Sequence, residues 1–344
     1  MSARVRNNIR EQISDDPESI FAVLKESRFY EDILNEGSMP FPFSVEMLKL
    51  LKRSNPLSQK YYYIEDDERY AFFTMYENRM NLFTFGKAEL FINISTIGFP
   101  CSLSCSGILT NDLVWVLDYI KTIRGCKLVL NLDDRPDAEG MASGETLPSC
   151  VLRLKKDHTS IEAYIASLRS TYRRRVRLAA ERCKDIKIVN DHEDKIDIHS
   201  LYLQTYERSD YKLECLQKEF FDRTEGDKLV FIKDGKPIGF VLLKENHGEL
   251  IFMLCGMEYE DGVCNADLYY YMLLNIVEYA IEHKCMSIDF GQTSEKTKLK
   301  FGATLKKKYF YAHHSNPLIN LIAMAGRHML EYKYSFPRYR VFRE

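Results

Sequence analysis

The sequence predicts an α/β protein in which one fold occurs twice in tandem. At 344 residues the chain is longer than one hydrophobic core usually supports, so two domains are expected. The order hairpin, strand, helix, strand also occurs twice, about 158 residues apart, counted from Tyr70 to Lys228. The second hairpin has Asp234-Gly235 between two β-prone runs, which is the strongest short hairpin signal.

The first copy is predicted from Tyr70 onwards. Residues 70–76 and 80–85 are β-prone and flank the polar pair Glu77-Asn78, which indicates a hairpin. A strand over 90–97, a helix from Asn111-Asp112 to Ile123 and a short strand over 127–132 follow. The acids and glycines of 133–146 predict a loop, and residues 1–60 predict a helical leader.

The second copy is predicted over residues 228–290. The Asp-Gly hairpin covers 228–243, and a further strand covers 249–257. Asn265 is the expected cap of a helix that runs to about Lys284, and Met286–Phe290 is a short buried strand. We therefore place the N-terminal domain at 1–155 and the C-terminal domain at 156–344.

Composition and charge limit the functions that the chain can have. It is 45% hydrophobic and 28% charged, with a net charge of −2, so any binding of nucleic acid or phosphate must come from a local patch. The nine cysteines have no zinc-site spacing, and no metal site is expected. No signal peptide and no apolar run of about 20 residues is visible, which favours a soluble cytoplasmic protein.

A basic helix is predicted between the two copies. Thr159 and Glu162 have the spacing of a capping box, and an apolar stripe continues to Cys183. Arginines repel one another at i,i+4 along this helix, which favours an anion such as phosphate against Arg173, Arg174 and Arg177. A solvated face offset by acids such as Asp191, Glu193 and Asp194 is the alternative.

The segment Met286–Ala303 has the composition of a site. A buried strand is followed by the Gly291 break, a polar turn and a lysine-bearing helical turn, and sites in α/β proteins lie where strands end. Direct acyl transfer needs a proton acceptor, oxyanion donors and aligned reactants. The residue types fit these roles, with Lys298 at the oxyanion and Asp289 as the proton acceptor or a turn cap. The polar side chains that can orient an acceptor are Gln292, Thr293 and Ser294.

Two motifs resemble the Fem/BioF2-like branch of the GNAT acyltransferase superfamily. One is Leu168-Arg-Ser-Thr-Tyr-Arg173-Arg-Arg-Val-Arg177-Leu-Ala179, and the other is Asp289-Phe-Gly-Gln-Thr-Ser294 followed by Lys298 and Gly302-Ala303. The resemblance covers residues 150–315 well. It implies two tandem GNAT-like domains, each with a mixed, mostly antiparallel sheet flanked by helices. It also implies an acyl-CoA (acetyl-CoA) or aminoacyl-tRNA donor and an amine acceptor on a sugar, peptide or cell-envelope precursor.

The resemblance also implies further site residues. It places the donor at the end of the central strand, at Cys255, Gly256 and Met257, and acceptor contacts in a loop containing Tyr206, Arg208 and Tyr211. Two features depart from the family pattern. Residues 256–267 are acidic and lack a glycine-rich pyrophosphate loop, and Gln292 stands where arginine is more common.

Two functions therefore stay open at the level of sequence. The first is an acyltransferase or aminoacyltransferase. The second is a non-catalytic module of the same fold that binds RNA or another phosphate-bearing ligand through the Arg173–Arg177 helix. The segment 317–344 predicts a helix that docks on its own chain or makes weak contact with a membrane surface.

Overall fold

The computed structural model describes residues 9–34, 37–81, 89–191, 196–209, 215–259 and 265–343. The chain forms two compact units. The first contains residues 1–147 and 307–333, and the second contains 148–306 and 334–344. The second unit begins at Pro148, eight residues before the predicted start at residue 156, and Lys307–Lys333 belongs to the first unit.

The first unit is a mixed sheet with helices. Its helices and strands before residue 147 are β1 Arg10–Ser14, α1 Pro17–Lys25, α2 Tyr30–Ile33, α3 Val45–Ser54, β2 Gln59–Glu65, β3 Tyr70–Asn81, β4 Phe91–Ile97, β5 Ile108–Thr110, α4 Leu113–Thr122, β6 Cys126–Leu132 and β7 Ala142–Glu145. A later strand, β15 (Tyr309–His314), also belongs to this sheet, whose order is β1-β2-β3-β4-β6-β15-β7, with β5 paired to β3.

The second unit has a sheet of the same plan, in the order β9-β10-β11-β12-β13-β8-β14. Its helices and strands are β8 Ser149–Arg153, α5 Ile161–Ser167, α6 Ser170–Arg182, β9 Lys187–Asn190, α7 His199–Arg208, α8 Lys218–Arg223, β10 Asp227–Lys233, β11 Lys236–Asn246, β12 Glu249–Met257, α9 Asn265–Glu282, β13 Ser287–Asp289, α10 Glu295–Leu299 and β14 Thr304–Lys306. The first unit is completed by β15 Tyr309–His314, α11 Pro317–Ala325 and a 3-10 turn at Arg327–Met329.

The two sheets correspond strand by strand, and each contains one parallel pair in the same place. β4 is parallel to β6, and β12 is parallel to β13, whereas their other neighbours are antiparallel. β15 enters the first sheet after the chain has completed the second, and β8 enters the second sheet directly after β7. The predicted tandem pair of mixed, mostly antiparallel sheets is confirmed.

Local sequence signals predicted some elements well. Asp234 and Gly235 have φ of 50° and 78°, which is the geometry of a tight hairpin turn. Asp112 caps α4 by accepting from the Trp115 N–H. α4 then packs Val116 and Ile120 into the core of the first unit.

Other predictions were wrong. β3 runs through Glu77 and Asn78, which pair with Ser95 and Ile94 of β4, so there is no hairpin turn at these residues. The loop expected over 133–146 contains β7. The capping residue of the basic helix is Ser160, whose Oγ accepts from the Ala163 N–H at 3.2 Å.

The basic helix is also two helices. α5 ends at Ser167 and α6 begins at Ser170, because Leu168 pairs with Phe342 as an isolated β-bridge. The Arg169 N–H donates to the Val341 carbonyl at 2.8 Å. The predicted C-terminal helix over 317–344 is confined to α11, and the chain after Lys333 returns to the second unit as an extended tail. None of the described helices is long and apolar enough to cross a membrane.

Candidate functional site

The central strand of the second unit separates from its parallel neighbour. β12 and β13 pair from Glu249↔Ser287 to Ile251↔Asp289. β12 then continues to Met257, whereas the chain after β13 follows β8, with the Phe290 N–H donating to the Cys150 carbonyl at 2.9 Å. Within the described residues, the edge of β12 from Phe252 to Met257 therefore has no strand on the β13 side.

A β-bulge accompanies this separation. Leu242 of β11 pairs with Leu254, but Leu243 pairs with Phe252, so Met253 is an extra residue in β12. A bulge bends its strand and increases the local twist, and bulges are common beside active sites. The divergence of β12 from β13 thus has a structural cause in β12 itself.

The corresponding space in the first unit is occupied. β4 and β5 pair with successive parts of β3, like one strand that is interrupted. Residues 98–107, which connect β4 to β5, form a loop that leaves the sheet at the interruption. Thr74 fixes both ends of this loop, since its backbone bonds to Gly98 and Gly107. Asn131, two residues beyond the last β4–β6 pair, donates from Nδ2 to the Leu103 carbonyl at 2.9 Å. The loop lies against β6 at the point where, in the second unit, the two strands diverge.

Helix α7 packs directly on the end of β12. A Cβ at Gly256 would lie 2.5 Å from the carbonyl carbon of Leu201 and 2.6 Å from the backbone nitrogen of Tyr202, so only glycine fits. The Met257 N–H donates to Thr205 Oγ1 at 3.1 Å. The Tyr259 N–H donates to Gln204 Oε1 at 3.2 Å. These contacts hold the end of β12 in place.

The residues expected in an acceptor loop lie on this helix. Tyr206 and Arg208 are in the last turn of α7, so their predicted loop position was wrong. Arg208 stacks over the Tyr259 ring at 4.4 Å, directly after β12. Tyr211 lies outside the described residues, as do residues 260–264 of the acidic β12–α9 connection.

The turn after β13 is strained. Gly291, Thr293 and Ser294 have φ of 70°, 60° and 50°. This region suits glycine, but a β-branched threonine there is an outlier, and such strain is concentrated at functional sites. Asp289 supports the turn, since its Oδ1 accepts from the Gly291 N–H at 2.8 Å. Gln292, in the same turn, is partly buried.

The buried side chain of Lys298 holds the turn through backbone carbonyls. It is 2% exposed, and its Nζ donates to the Gln292 carbonyl at 2.6 Å and lies 3.4 Å from the Gly291 carbonyl. Burial lowers the pKa of Lys298, and Cys150 and Cys255 act against this shift. Nζ also lies 5.9 Å from the ring centre of Phe252, the first residue of β12 that has no partner in β13. Lys298 therefore joins the turn to the point where the strands diverge.

Two protonated side chains lie near this site, one beside Lys298 and one beside the turn. Burial raises the pKa of Cys255 to about 11, although Lys298 lowers it, so the thiol is protonated at neutral pH. Burial also raises the pKa of Tyr269 well above its usual range, and its side chain hydrogen-bonds to that of Ser294. Tyr269 was missed at the level of sequence because it is one of three consecutive tyrosines in a helix.

The arginines of α6 form a separate group with two different environments. Arg175 and Arg182 pair with the two carboxylate oxygens of Asp267 at 2.7 and 2.8 Å. Asp267 is 3% exposed and lies on α9. Of the acids expected to offset this face, Asp191 accepts from the Ile196 N–H at 2.8 Å, and Glu193 and Asp194 lie outside the described residues.

The remaining arginines lie near positive charge. Burial lowers the pKa of Arg173, and Arg343 and Arg177 lower it further. Arg343 comes from the C-terminal tail, where its N–H donates to the Ser167 carbonyl at 2.9 Å. Arg174 and Arg177 are exposed. Within the described residues no ion pair neutralises Arg173, Arg177 or Arg343, so this surface suits an anion.

Metal ligands are not grouped in the part of the chain that the structure describes. No set of three or more His, Cys, Asp or Glu side chains there has the geometry to hold an ion. The described cysteines are free thiols.

Comparison with solved structures decides the fold. A tandem GNAT protein from the clavulanic acid biosynthesis pathway, solved without AcCoA, superimposes with a TM-score of 0.50 at 10% identity. The match covers 90% of this chain and 99% of that chain. The fold is that of a tandem GNAT protein. No protein-family model matches the chain, and no curated protein matches its sequence.

Two further solved structures are similar at lower TM-scores. FemX has a TM-score of 0.47 at 13% identity, covering 78% of this chain and 91% of that one. The C-terminal domain of a putative lysylphosphatidylglycerol synthetase from Agrobacterium fabrum has a TM-score of 0.46 at 12% identity, covering 83% of this chain and 92% of that one.

Proposed function

We propose that the second unit is an acyltransferase domain whose donor lies along the open edge of β12. The observation that carries this proposal is the separation of β12 from β13 after Ile251, which leaves strand edge at Phe252–Met257. An extended arm with amide groups can add to such an edge as a further strand. The loop at 98–107 occupies the equivalent place in the first unit, which favours one site per chain.

The donor is an acyl-CoA, such as acetyl-CoA, or an aminoacyl-tRNA. The pantetheine arm of coenzyme A has the amides that pairing with β12 requires, which favours an acyl-CoA. Both donors carry phosphate, and the acceptor can carry it as well. Arg173, Arg177 and Arg343 are the cationic group available for it, since Arg175 is held by Asp267.

The proposed reaction is direct attack of an acceptor amine on the acyl carbon. The new C–N bond replaces the C–S bond of a thioester, or the C–O bond of an aminoacyl ester, and the amine loses a proton. The Asp289 carboxylate is the proposed proton acceptor, and the protonated Tyr269 hydroxyl is the proposed donor to the leaving group. The acceptor is an amine of a sugar, a peptide or a cell-envelope precursor.

The other turn residues have supporting roles in this proposal. Gln292, Thr293 and Ser294 orient the acceptor amine by hydrogen bonds. Lys298 holds the turn through two backbone carbonyls, and its charge lies where oxyanion charge develops. Met253, the extra residue of the bulge, lies outside the regular ladder, and its N–H is the proposed second donor to the same oxygen.

A transfer assay with a matched lysine pair tests the proposal. Acetyl-CoA is supplied with panels of amino sugars and peptide amines, and released thiol is measured. In parallel, transfer of labelled amino acid from aminoacyl-tRNA is measured. Lys298→Met should abolish transfer, whereas Lys296→Met, which changes an exposed lysine of the same helix, should retain it. If the wild-type chain releases no thiol from acetyl-CoA and transfers no amino acid from aminoacyl-tRNA, the proposal is contradicted.

A non-catalytic module that binds RNA or another phosphate-bearing ligand is the second candidate. The unneutralised group of Arg173, Arg177 and Arg343 favours it. RNA affinity should then fall steeply with salt, and Arg173→Gln with Arg177→Gln should flatten that dependence. Arg223→Gln is the matched control, since this exposed arginine lies on α8, not on α6, and pairs with Glu219 of its own helix. A salt dependence that the double variant leaves unchanged excludes this candidate.

A further inference from the structure

Helix α11 of the first unit has an inverted burial pattern. Its nine residues, Pro317–Ala325, include no charge. Leu318, Leu321 and Ile322 are 73%, 63% and 70% exposed, whereas the buried residue is Asn320, at 9%. A surface helix of a globular protein normally turns its apolar residues to the core and its polar residues to water. α11 does the opposite.

Hydrogen bonds explain why the helix keeps this orientation. Asn320 Nδ2 donates to the Gly140 carbonyl at 2.8 Å, and Asn320 Oδ1 accepts from the His314 N–H at 3.0 Å. Asn316 caps the helix by accepting from the Leu318 N–H at 3.0 Å. These bonds fix the rotation of the helix about its axis, so the outward direction of Leu318, Leu321 and Ile322 is part of the fold.

Further apolar side chains follow the helix in the sequence. Met329 is 60% exposed. Leu330, the next residue, lines an open apolar cleft together with Met80, Leu128 and Phe310. Exposed large apolar side chains grouped on one helix face mark a site of interaction with a protein or a membrane.

Among the described residues, the helix and the turn after it carry one unpaired cation, while His328 pairs with Glu331 at 3.2 Å. Residues 315–330 contain no aspartate or glutamate. Arg327 follows the helix and is exposed, and no described acid pairs with it. This arrangement complements an anionic surface, since a long arginine side chain can keep its charge at the polar boundary while its stem covers apolar surface.

We propose that α11 is an interfacial helix that rests on an anionic phospholipid surface. Leu318, Leu321 and Ile322 enter the boundary between headgroups and acyl chains, and Arg327 contacts the phosphates. A second copy of the chain fits less well. A stable interface needs about 800 Å² from each partner, which exceeds what one face of a nine-residue helix supplies. The proposal concerns the first unit and does not depend on transfer chemistry in the second.

Vesicle flotation of the full chain tests this proposal. The vesicles are phosphatidylcholine with phosphatidylglycerol in equal parts, or phosphatidylcholine alone. The wild-type chain should float with the anionic vesicles, less with the neutral ones and less at high salt. Leu321→Ser with Ile322→Ser should lower the partition coefficient by a factor on the order of ten or more, from the apolar burial lost. Arg327→Gln should lower binding to anionic vesicles alone.

A matched control separates this surface from general stickiness. Met286→Ser changes another side chain that is 70% exposed, in the second unit, and should bind vesicles as the wild type does. Circular dichroism checks that each variant is folded, which is expected because the altered side chains are mostly exposed. Equal flotation of the wild type and the Leu321/Ile322 variant overturns the proposal. A wild-type dimer in light scattering that the same variant abolishes also overturns it and assigns α11 to a second copy.

Discussion

Gly256→Ala tests the contact that fixes the end of β12. The new Cβ would lie 2.5 Å from the backbone of Leu201 and 2.5 Å from Phe240 Cε1, about 1 Å inside ordinary contact. Neither helix backbone nor a buried ring can give way cheaply, and overpacking of this kind costs about 1–3 kcal/mol. Moving α7 also strains the bond from the Met257 N–H to Thr205, worth about 1 kcal/mol. We expect a loss of about 2–4 kcal/mol in the free energy of unfolding.

Gly239→Ala is the matched control, because Gly239 pairs with Met257 at the same end of the sheet. Its added Cβ would meet its nearest atoms at 3.4–3.5 Å, which is close to ordinary contact. A change within about 1 kcal/mol is expected there. Both variants are measured by guanidinium denaturation followed by circular dichroism, at equal m-values. If Gly256→Ala is as stable as Gly239→Ala, α7 does not pack on β12 as described.

Three further predictions concern the insertion of β15 into the first sheet, the strained turn and a half-buried histidine. A fragment of residues 1–147 lacks β15, which joins β7 to β6 in the first sheet, and should not fold. A fragment of residues 148–306 contains all strands of the second sheet and should show cooperative unfolding; an equally folded 1–147 fragment would contradict the topology. Thr293→Gly should raise the free energy of unfolding by up to about 1 kcal/mol, because it relieves a φ of 60°, while lowering any transfer rate; a destabilised variant would show that the turn stores no strain. Burial lowers the pKa of His313, the positive charge of Lys127 acts in the same direction, and the pKa falls from 6.5 to about 4. Because the unfolded chain then binds the proton more readily, the free energy of unfolding should fall as pH drops from 6.5 to 4. His313→Gln should flatten this part of a stability-against-pH curve, and an unchanged slope would assign it to other groups.

Local signals in the sequence predicted the elements that depend on local chemistry. Asp234-Gly235 produced its hairpin because these residue types accept positive φ. Glu77-Asn78 indicated a turn by its polarity alone. β3 instead continues through these two residues, because they pair with the antiparallel strand β4. The break at Leu168 depends on Phe342, far along the chain, and no local pattern reveals such a bridge.

The candidate site shows the same division. The turn from Asp289 to Lys298 was visible as a strand end with polar residues, and the structure brings these residues together. The divergence of β12 was not visible, because it depends on which strand pairs with which. Asp267, which neutralises Arg175 and Arg182, belongs to a different helix, so helix patterning alone could not predict it.

Hydrogen–deuterium exchange in the presence of a donor tests the central claim most directly. If the open edge of β12 binds the donor, saturating acetyl-CoA should slow exchange of the amides of Phe252–Met257. The corresponding strands of the first unit, 91–97 and 108–110, should be unchanged, because the loop 98–107 occupies their space. Protection confined to the first unit, or no protection of Phe252–Met257 by any acyl-CoA or aminoacyl-tRNA, would contradict the account.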